Sequence, residues 1–283
     1  VVFIHEYGHY YFAKKYGVGV TDFSIGFGQE IFGWNDKSGT RWKICWIPLG
    51  GYVKFFGDRN VFSQADQEKI IKKYNEEDRK KLFVLKPLYQ RVLIVFGGPL
   101  ANFLLALVIF FSIYTFVGKD FTPAVINEVQ KDSPAMAGGL KDSDIILEID
   151  GNKVKSIMDV SKYIMMSTDD FIDFKVKRSY DELLLKIKPK IVMGEDNLGN
   201  KINKRMVGIK LGAYNNEINH VKLGPAQAIY HAAHEVYYVS ISSLKYIGAM
   251  IFGKADTSQL GGPIRIAKIS GQVAEFGILA FIS

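Results

Sequence analysis

The chain reads as a multi-pass α-helical membrane protein with a glycine-rich β-hairpin segment and an inserted α/β domain. Three observations predict that class. Residues 92–117, VLIVFGGPLANFLLALVIFFSIYTFV, are 26 positions without a charge, and about 20 apolar residues in a helix cross a hydrocarbon core. The chain opens on VVFIHEYGHYYFAKK and closes on GILAFIS, which read as a partial first membrane helix and the start of a third, so both ends read as cut. Hydrophobic residues make up 48% of the chain and charged ones 23%, the balance of apolar blocks set in polar sequence.

Each element has its local reason. Residues 1–16 form a helix that Lys14 and Lys15 close with positive charge and Gly17 ends. Residues 17–91 begin with aromatic and apolar runs broken by glycine, TDFSIGFGQEIFGW and TRWKICWIPLGGYVKFFG, joined through NDKSG. That is hairpin chemistry, short strands with a turn between them. The charged stretch QADQEKIIKKYNEEDRKKL follows as an amphipathic helix or a linker. Within 92–117, Gly97, Gly98 and Pro99 are expected to loosen the first turns. Asn102 is its one strongly polar side chain, tolerated only where it faces protein or a wet cavity. Residues 122–213 alternate strand-like and helix-like runs around an Asp150–Gly151 turn and a hairpin at Ser179–Tyr180. Residues 224–253 have helical periodicity with few charges and suit an interfacial helix. Residues 254–283 carry a linker and the start of the third span.

Charge supplies topology and excludes some functions. The net charge is +7, but the basic residues are not interleaved with aromatics in one patch, which argues against nucleic acid. Lys and Arg crowd the interval between Lys14 and Arg91, so 17–91 is expected on the cytoplasmic side and the residues after 117 outside. Cys45 is the single cysteine; it can form no internal disulfide and reads as a buried small hydrophobe.

The chemistry concentrates in HEYGH. Residues four apart share one helix face, so His5 and His9 can offer nitrogens to one Zn²⁺. Glu6 sits about 100° round the helix, able to reach a metal-bound water without being a ligand. The metal brings that water's pKa towards about 7. Glu6 would take its proton and pass it to the leaving amine. Catalytic zinc takes three protein ligands, and no convincing third is present: Phe12 and Lys15 occupy the positions where a longer motif has Gly and His, Glu30 lies in the hairpin, and His220, His231 and His234 lie far along the chain. A set of ionisable groups at membrane depth is nevertheless a functional site by default.

Taken together, FIHEYGHYYFAKKYGVGVTDFSIGFG, IPLGGYVKF, RVLIVFGGPLANFLLA, SPAMAGGLKDSDIILEIDGNKV and LGGPIRIAK resemble the bacterial site-2 proteases, in the regulator-of-sigma-E protease branch. The resemblance runs through nearly the whole chain. It implies that His5 and His9 bind Zn²⁺ and Glu6 is the general base, with the third ligand an Asp of an L-D-G motif in the third membrane helix, beyond Ser283. It implies that the module at 122–213 is PDZ-like and extracytoplasmic, binding a peptide beside the helix near 157–166 or excluding bulky substrates. It also implies that Gly26, Phe27, Gly28 and Asn102 help to hold a substrate, with a packing role for Gly26 and Gly28 and a helix-contact role for Asn102 equally open. The expected partners are transmembrane protein substrates and the lipid bilayer, the expected location the bacterial inner membrane with the zinc motif near its cytoplasmic side, and the fragment is expected to be inactive without its third ligand. Two other readings stay open: a non-catalytic membrane scaffold that binds peptides, and a soluble zinc peptidase.

Overall fold

The structure, a computed structural model, describes residues 1–57, 74–195, 201–213, 219–253 and position 271. The expected start of a third membrane helix and most of the charged segment lie outside the described residues. The chain divides into two units, Val1–Val108 and Ile109–Ser283.

In the first unit, α1 (Val2–Lys15) ends as the sequence predicts, with Lys14 and Lys15 in its last turn and Gly17 at φ +66°. Cations there meet the partial negative charge of unpaired carbonyls. Two long strands follow, β1 (Val20–Asn35) and β2 (Arg41–Phe55). Their register is not that of a simple hairpin. Residues 22–25 pair with Lys54, Val53, Tyr52 and Gly51, and also with Arg41, Trp42, Lys43 and Ile44. The same stretch of β1 therefore lies between two lengths of β2, and the hairpin curls on itself. Gly26 and Gly28, at φ +85° and +86°, supply the bend, since only glycine adopts that conformation freely.

Aromatic stacking and one carboxylate fasten the hairpin to α1. Phe23 stacks on Trp42 at 4.1 Å, and the Tyr10 ring of α1 stands edge-on to both, at 5.8 and 5.1 Å. Asp36, in the hairpin turn, accepts hydrogen bonds from the Tyr10 hydroxyl (2.9 Å), the Trp42 indole (3.1 Å), the Ser38 hydroxyl (2.7 Å) and the backbone N–H of Ser38 and Thr40. Burial alone would raise its pKa, but these donors outweigh it and hold the carboxyl well below its ordinary value.

After a single turn of helix, α2 (Glu76–Arg79), comes α3 (Leu88–Ser112), continued by a π-helical stretch, Ile113–Val117. The helix runs unbroken through Gly97, Gly98 and Pro99, so the expected loosening does not occur. Its apolar side chains are largely exposed, Phe96 at 64% and Leu104 at 55%. A core helix of a soluble protein would bury them.

The second unit is built on a sheet of β4 (Ala124–Val129), β5 (Ile145–Ile149), β6 (Asn152–Lys153), β7 (Ile172–Arg178), β8 (Asp181–Ile187) and β11 (Ile209–Ala213). Its order is β11-β4-β5-β7-β8, with β6 beside β5. Asp150 and Gly151, both at positive φ, make the two-residue turn from β5 to β6, as their sequence predicts. A helix at Ile157–Met166, α5, starts in a capping box between Ser156 and Asp159. It packs Val160, Tyr163 and Ile164 onto a core with Ile126, Ile146, Ile149, Phe174 and Val176. A short helix, α4 (Pro134–Ala137), covers the sheet beside Ile187. Asp144, fully buried, takes a two-pronged hydrogen bond from Arg178 at 2.8 Å. Two pairings were not foreseen: β9 (Lys190–Glu195) with β10 (Lys201–Met206), and β3 (Lys119–Asp120) with β12 (His220–Val221). The unit's described part ends in α6 (Pro225–Ile251).

The expectation of a multi-pass helical protein is corrected. Among the described residues, one helix, Leu88–Val117, is long and apolar enough to cross a membrane, and strands form four sheets. The 14 residues of α1 span only about 21 Å at 1.5 Å each. The architecture is mixed α/β with one apolar helix. The glycine-rich hairpin and the α/β module are both present.

The Asp36 cluster yields a test. A carboxyl whose folded pKa is depressed stabilises the fold above its unfolded pKa and loses that contribution as pH falls through the folded value. Asp36→Asn is expected to cost about 1–3 kcal/mol at pH 7. Followed by tryptophan emission during thermal unfolding in detergent, its deficit against wild type should shrink as pH drops below about 4. A deficit independent of pH would show that Asp36 acts by shape alone.

Candidate active site

The site forms where α1 crosses α3. A Cβ on Gly8 would lie 2.1 Å from the Gly97 carbonyl oxygen, and one on Gly97 would lie 2.6 Å from that of Gly8. The two backbones therefore touch, which no larger residue permits. One residue on, a Cβ on Gly98 would lie 2.3 Å from His9 Nε2 and 2.7 Å from His5 Nε2. Gly98 is the floor beneath both imidazoles.

The rings converge. Nε2 of His5 and Nε2 of His9 are 3.2 Å apart. Two zinc ligands at about 2.05 Å in a tetrahedron stand about 3.3 Å apart, so the pair fits the ion. Each ring's far nitrogen is engaged as well. His9 Nδ1 donates to the Ile94 carbonyl oxygen of α3 at 2.8 Å. That bond fixes the tautomer: Nδ1 carries the proton and Nε2 a lone pair. His5 Nδ1 lies 3.1 Å from Asn102 Nδ2, while Asn102 Oδ1 is buried without a partner. An amide N–H₂ can only donate, so in this arrangement His5 Nδ1 accepts and its Nε2–H points to His9. Holding a metal through both Nε2 atoms requires the His5 proton at Nδ1, and the Asn102 amide must then turn to present Oδ1.

Glu6 is nearly buried on the neighbouring face of α1. Its Cγ would lie 3.0 Å from a Cβ on Gly51 of β2, so glycine there lets the hairpin reach the glutamate. Glu6, His9, Tyr52, Val53, Ile94 and Val95 line one cavity of about 310 Å³, at the small end of ligand-sized pockets.

The remaining candidates fall out as follows. Glu30 is tied to Arg41 at 2.5 Å and is not offered to a metal. Gly26 sits against the Ile47 carbonyl oxygen, 2.6 Å from where its Cβ would be, and Phe27 stacks at 6.0 Å on Tyr52, a residue of the cavity wall. Gly28 lies beside the Ile47 side chain. His231 and His234 belong to the second unit. Cys45 is buried, its thiol 3.3 Å from the Ser24 hydroxyl. No cluster of three or more His, Cys, Asp or Glu placed for a metal occurs among the described residues. Sequence reasoning missed Gly51, Gly98 and the Ile94 carbonyl; the adjacent glycines of GGY and GGP were the available signal, read as chain flexibility instead of close approach.

A His pair four apart with a glutamate after the first defines the class of HExxH metallopeptidases. The chain belongs to peptidase family M50, whose profile matches residues 1–283. A protein of Agrobacterium fabrum named as a zinc metalloprotease is 38% identical over 282 residues, covering 100% of this chain and 74% of its own length. The metalloprotease MmpA of Caulobacter vibrioides is 34% identical over 280 residues, covering 96% and 70%. The resemblance to membrane zinc proteases therefore holds at the family level, and Zn²⁺ is the cofactor. Among solved structures, the chain is similar to the PDZ domain of an SdrC-like protein from Listeria monocytogenes, at 28% identity and a TM-score of 0.25, over 32% of this chain and 88% of that one.

The glycine floor is directly testable. Gly98→Ala is expected to push the imidazoles apart and lower zinc affinity at least tenfold, read as metal content after dialysis against a graded chelator. Helix content by circular dichroism should be unchanged. Undiminished zinc retention would mean that the rings hold the ion elsewhere.

Proposed function

We propose that this protein is an intramembrane endopeptidase that hydrolyses peptide bonds in the transmembrane segments of other proteins, with His5 and His9 as zinc ligands and Glu6 as general base. The observation that carries the reading is the convergence of the two Nε2 atoms at 3.2 Å, each ring braced through its other nitrogen. The third protein ligand comes from outside the described residues. The exposed apolar surface of α3 supports a bilayer setting, and the basic residues between Lys14 and Arg91 support a cytoplasmic placement of the hairpin in a bacterial inner membrane. Substrates of this class include anti-sigma factors already trimmed outside the membrane and signal-peptide remnants. The module at 122–213 would screen or bind them.

Zn²⁺ supplies Lewis acidity, making a water acidic and polarising a carbonyl oxygen. The chain's residues do the rest. Glu6, shielded between α1 and Gly51, holds the proton taken from the attacking water and returns it to the leaving amine. The Ile94 carbonyl keeps His9 in one tautomer. Asn102 takes the corresponding role for His5 once its oxygen faces Nδ1. The hairpin's β2, which walls the cavity with Tyr52 and Val53, can pair with an unwound substrate as an added strand.

Three variants of the full-length protein test this. Glu6→Gln should lower cleavage of a membrane-embedded reporter by at least 10²-fold and leave zinc content and folding intact; normal cleavage would dismiss the assigned base. Asn102→Ala should weaken zinc about 10–100-fold in chelator competition, and Asn102→Asp, which keeps an acceptor oxygen, should restore most of it. Equal affinity in all three would confine Asn102 to helix packing.

A further inference from the structure

A second cavity lies wholly within the second unit, away from HEYGH in sequence and built of different chemistry. Its volume is about 240 Å³, and Lys119, Lys153 and Lys155 line it with His231 and His234. Two carboxylates face it as well, Asp159 and Glu235. Both are already committed. Glu235 binds Lys162 at 2.6 Å and Lys119 at 3.8 Å, and one Asp159 oxygen accepts the backbone N–H of Lys155 and Ser156. Lys153 and Lys155 have no ion pair among the described residues. The cavity is thus positive on balance. Burial first, then the charges of Lys119 and Lys155, hold the His231 pKa below its ordinary value.

Next to it is a more open, mainly apolar groove of about 500 Å³, walled by Phe121, Val221, Leu223 and Ala226. Tyr230 and His231 line both spaces, so a charged chamber and an apolar one adjoin at these two side chains. Lys119 follows two residues after Val117, the end of the apolar helix, and its ammonium lies 4.9 Å over the Tyr114 ring in that helix's last turns. The helix α6, which contributes Tyr230, also exposes Tyr237, Leu244 and Ile251, an interfacial pattern of residues.

We propose that these two spaces form a binding site for one anionic phospholipid, its phosphate held by Lys119, Lys153 and Lys155 and an acyl chain lying along Phe121, Val221 and Leu223. The proposal rests on the reading that the apolar helix lies in a bilayer, because that places Lys119 at headgroup level. A lysine near a membrane surface adds roughly fivefold to the affinity for acidic lipid, so losing two should cost about thirtyfold.

The test is native mass spectrometry of the detergent-solubilised full-length protein, titrated with phosphatidylglycerol or with phosphatidylcholine of the same acyl chains. Phosphatidylglycerol should be retained at least tenfold better. Lys153→Gln with Lys155→Gln, both exposed and outside the core, should lower its retention about thirtyfold, whereas Lys131→Gln with Lys141→Gln, the same change of charge elsewhere on the module, should not. Inorganic phosphate should compete only at far higher concentration; displacement by phosphate as readily as by lipid would overturn the role of the groove. Equal retention of the two lipids, or no effect of Lys153→Gln with Lys155→Gln, would overturn the site. So would a peptide with a free C-terminal carboxylate that displaces the lipid at equal concentration, which would assign the cavity to polypeptide. A chain that stays in solution without detergent overturns the bilayer reading itself; a chain that needs detergent but ignores headgroup charge overturns this proposal alone.

Discussion

The contact between Gly8 and Gly97 is the constraint on which the rest of the site depends. It brings two helix backbones to the distance of their own atoms. Small residues at such crossings are a common device for helix association in lipid, where burying apolar surface gives no advantage over leaving it among acyl chains. Here the device has a chemical purpose. With the backbones in contact, a histidine ring on α1 can reach a carbonyl on α3, and a ring one turn away can reach an amide. Widening the crossing by one methyl group would part those pairs. The precision with which the two imidazoles converge is therefore a property of main chain against main chain.

The hairpin adds a wall the helices cannot provide. It curls because 22–25 is flanked by two lengths of β2, and the curl is pinned to α1 through Tyr10, Trp42 and the turn carboxylate. Gly51 then comes up against Glu6. A carboxylate shielded in this way is set apart from bulk water while still lining the cavity. The same hairpin presents Phe27, Ile31 and Trp46 outward, a greasy exterior compatible with contact with lipid or with an unfolded apolar segment.

Much of this was legible in the residues. In HEYGH a spacing of four placed His5 and His9 on one helix face, and their Nε2 atoms do converge. NDKSG, Asp150–Gly151 and Ser179–Tyr180 announced their turns for reasons of local backbone freedom. What escaped was whatever depends on a partner distant in sequence. Gly97 and Gly98 carry no local sign that distinguishes flexibility from close approach, and the helix proved continuous. The double pairing of β1 follows from a curl that period-two patterning does not encode. Asn102 read equally as a group for a substrate or for a helix contact, and its imidazole partner, 97 residues away, could not be named from the sequence. The multi-pass expectation rested on apolar runs at the chain's two ends, whereas among the described residues one helix is long and apolar enough to cross a membrane and much of the order is sheet.

One residue inside α3 has a consequence for how the interior of this protein meets solvent. Proline has no amide hydrogen, so Pro99 leaves the carbonyl of Val95 without its usual donor four residues on. Val95 lines the same cavity as Glu6 and His9. A stranded acceptor within a hydrocarbon slab costs several kcal/mol, and the cheapest remedy is a molecule small enough to enter and donate to it. Under the intramembrane reading proposed above, the missing amide hydrogen at Pro99 is a reason for water to be held beside Glu6 and His9.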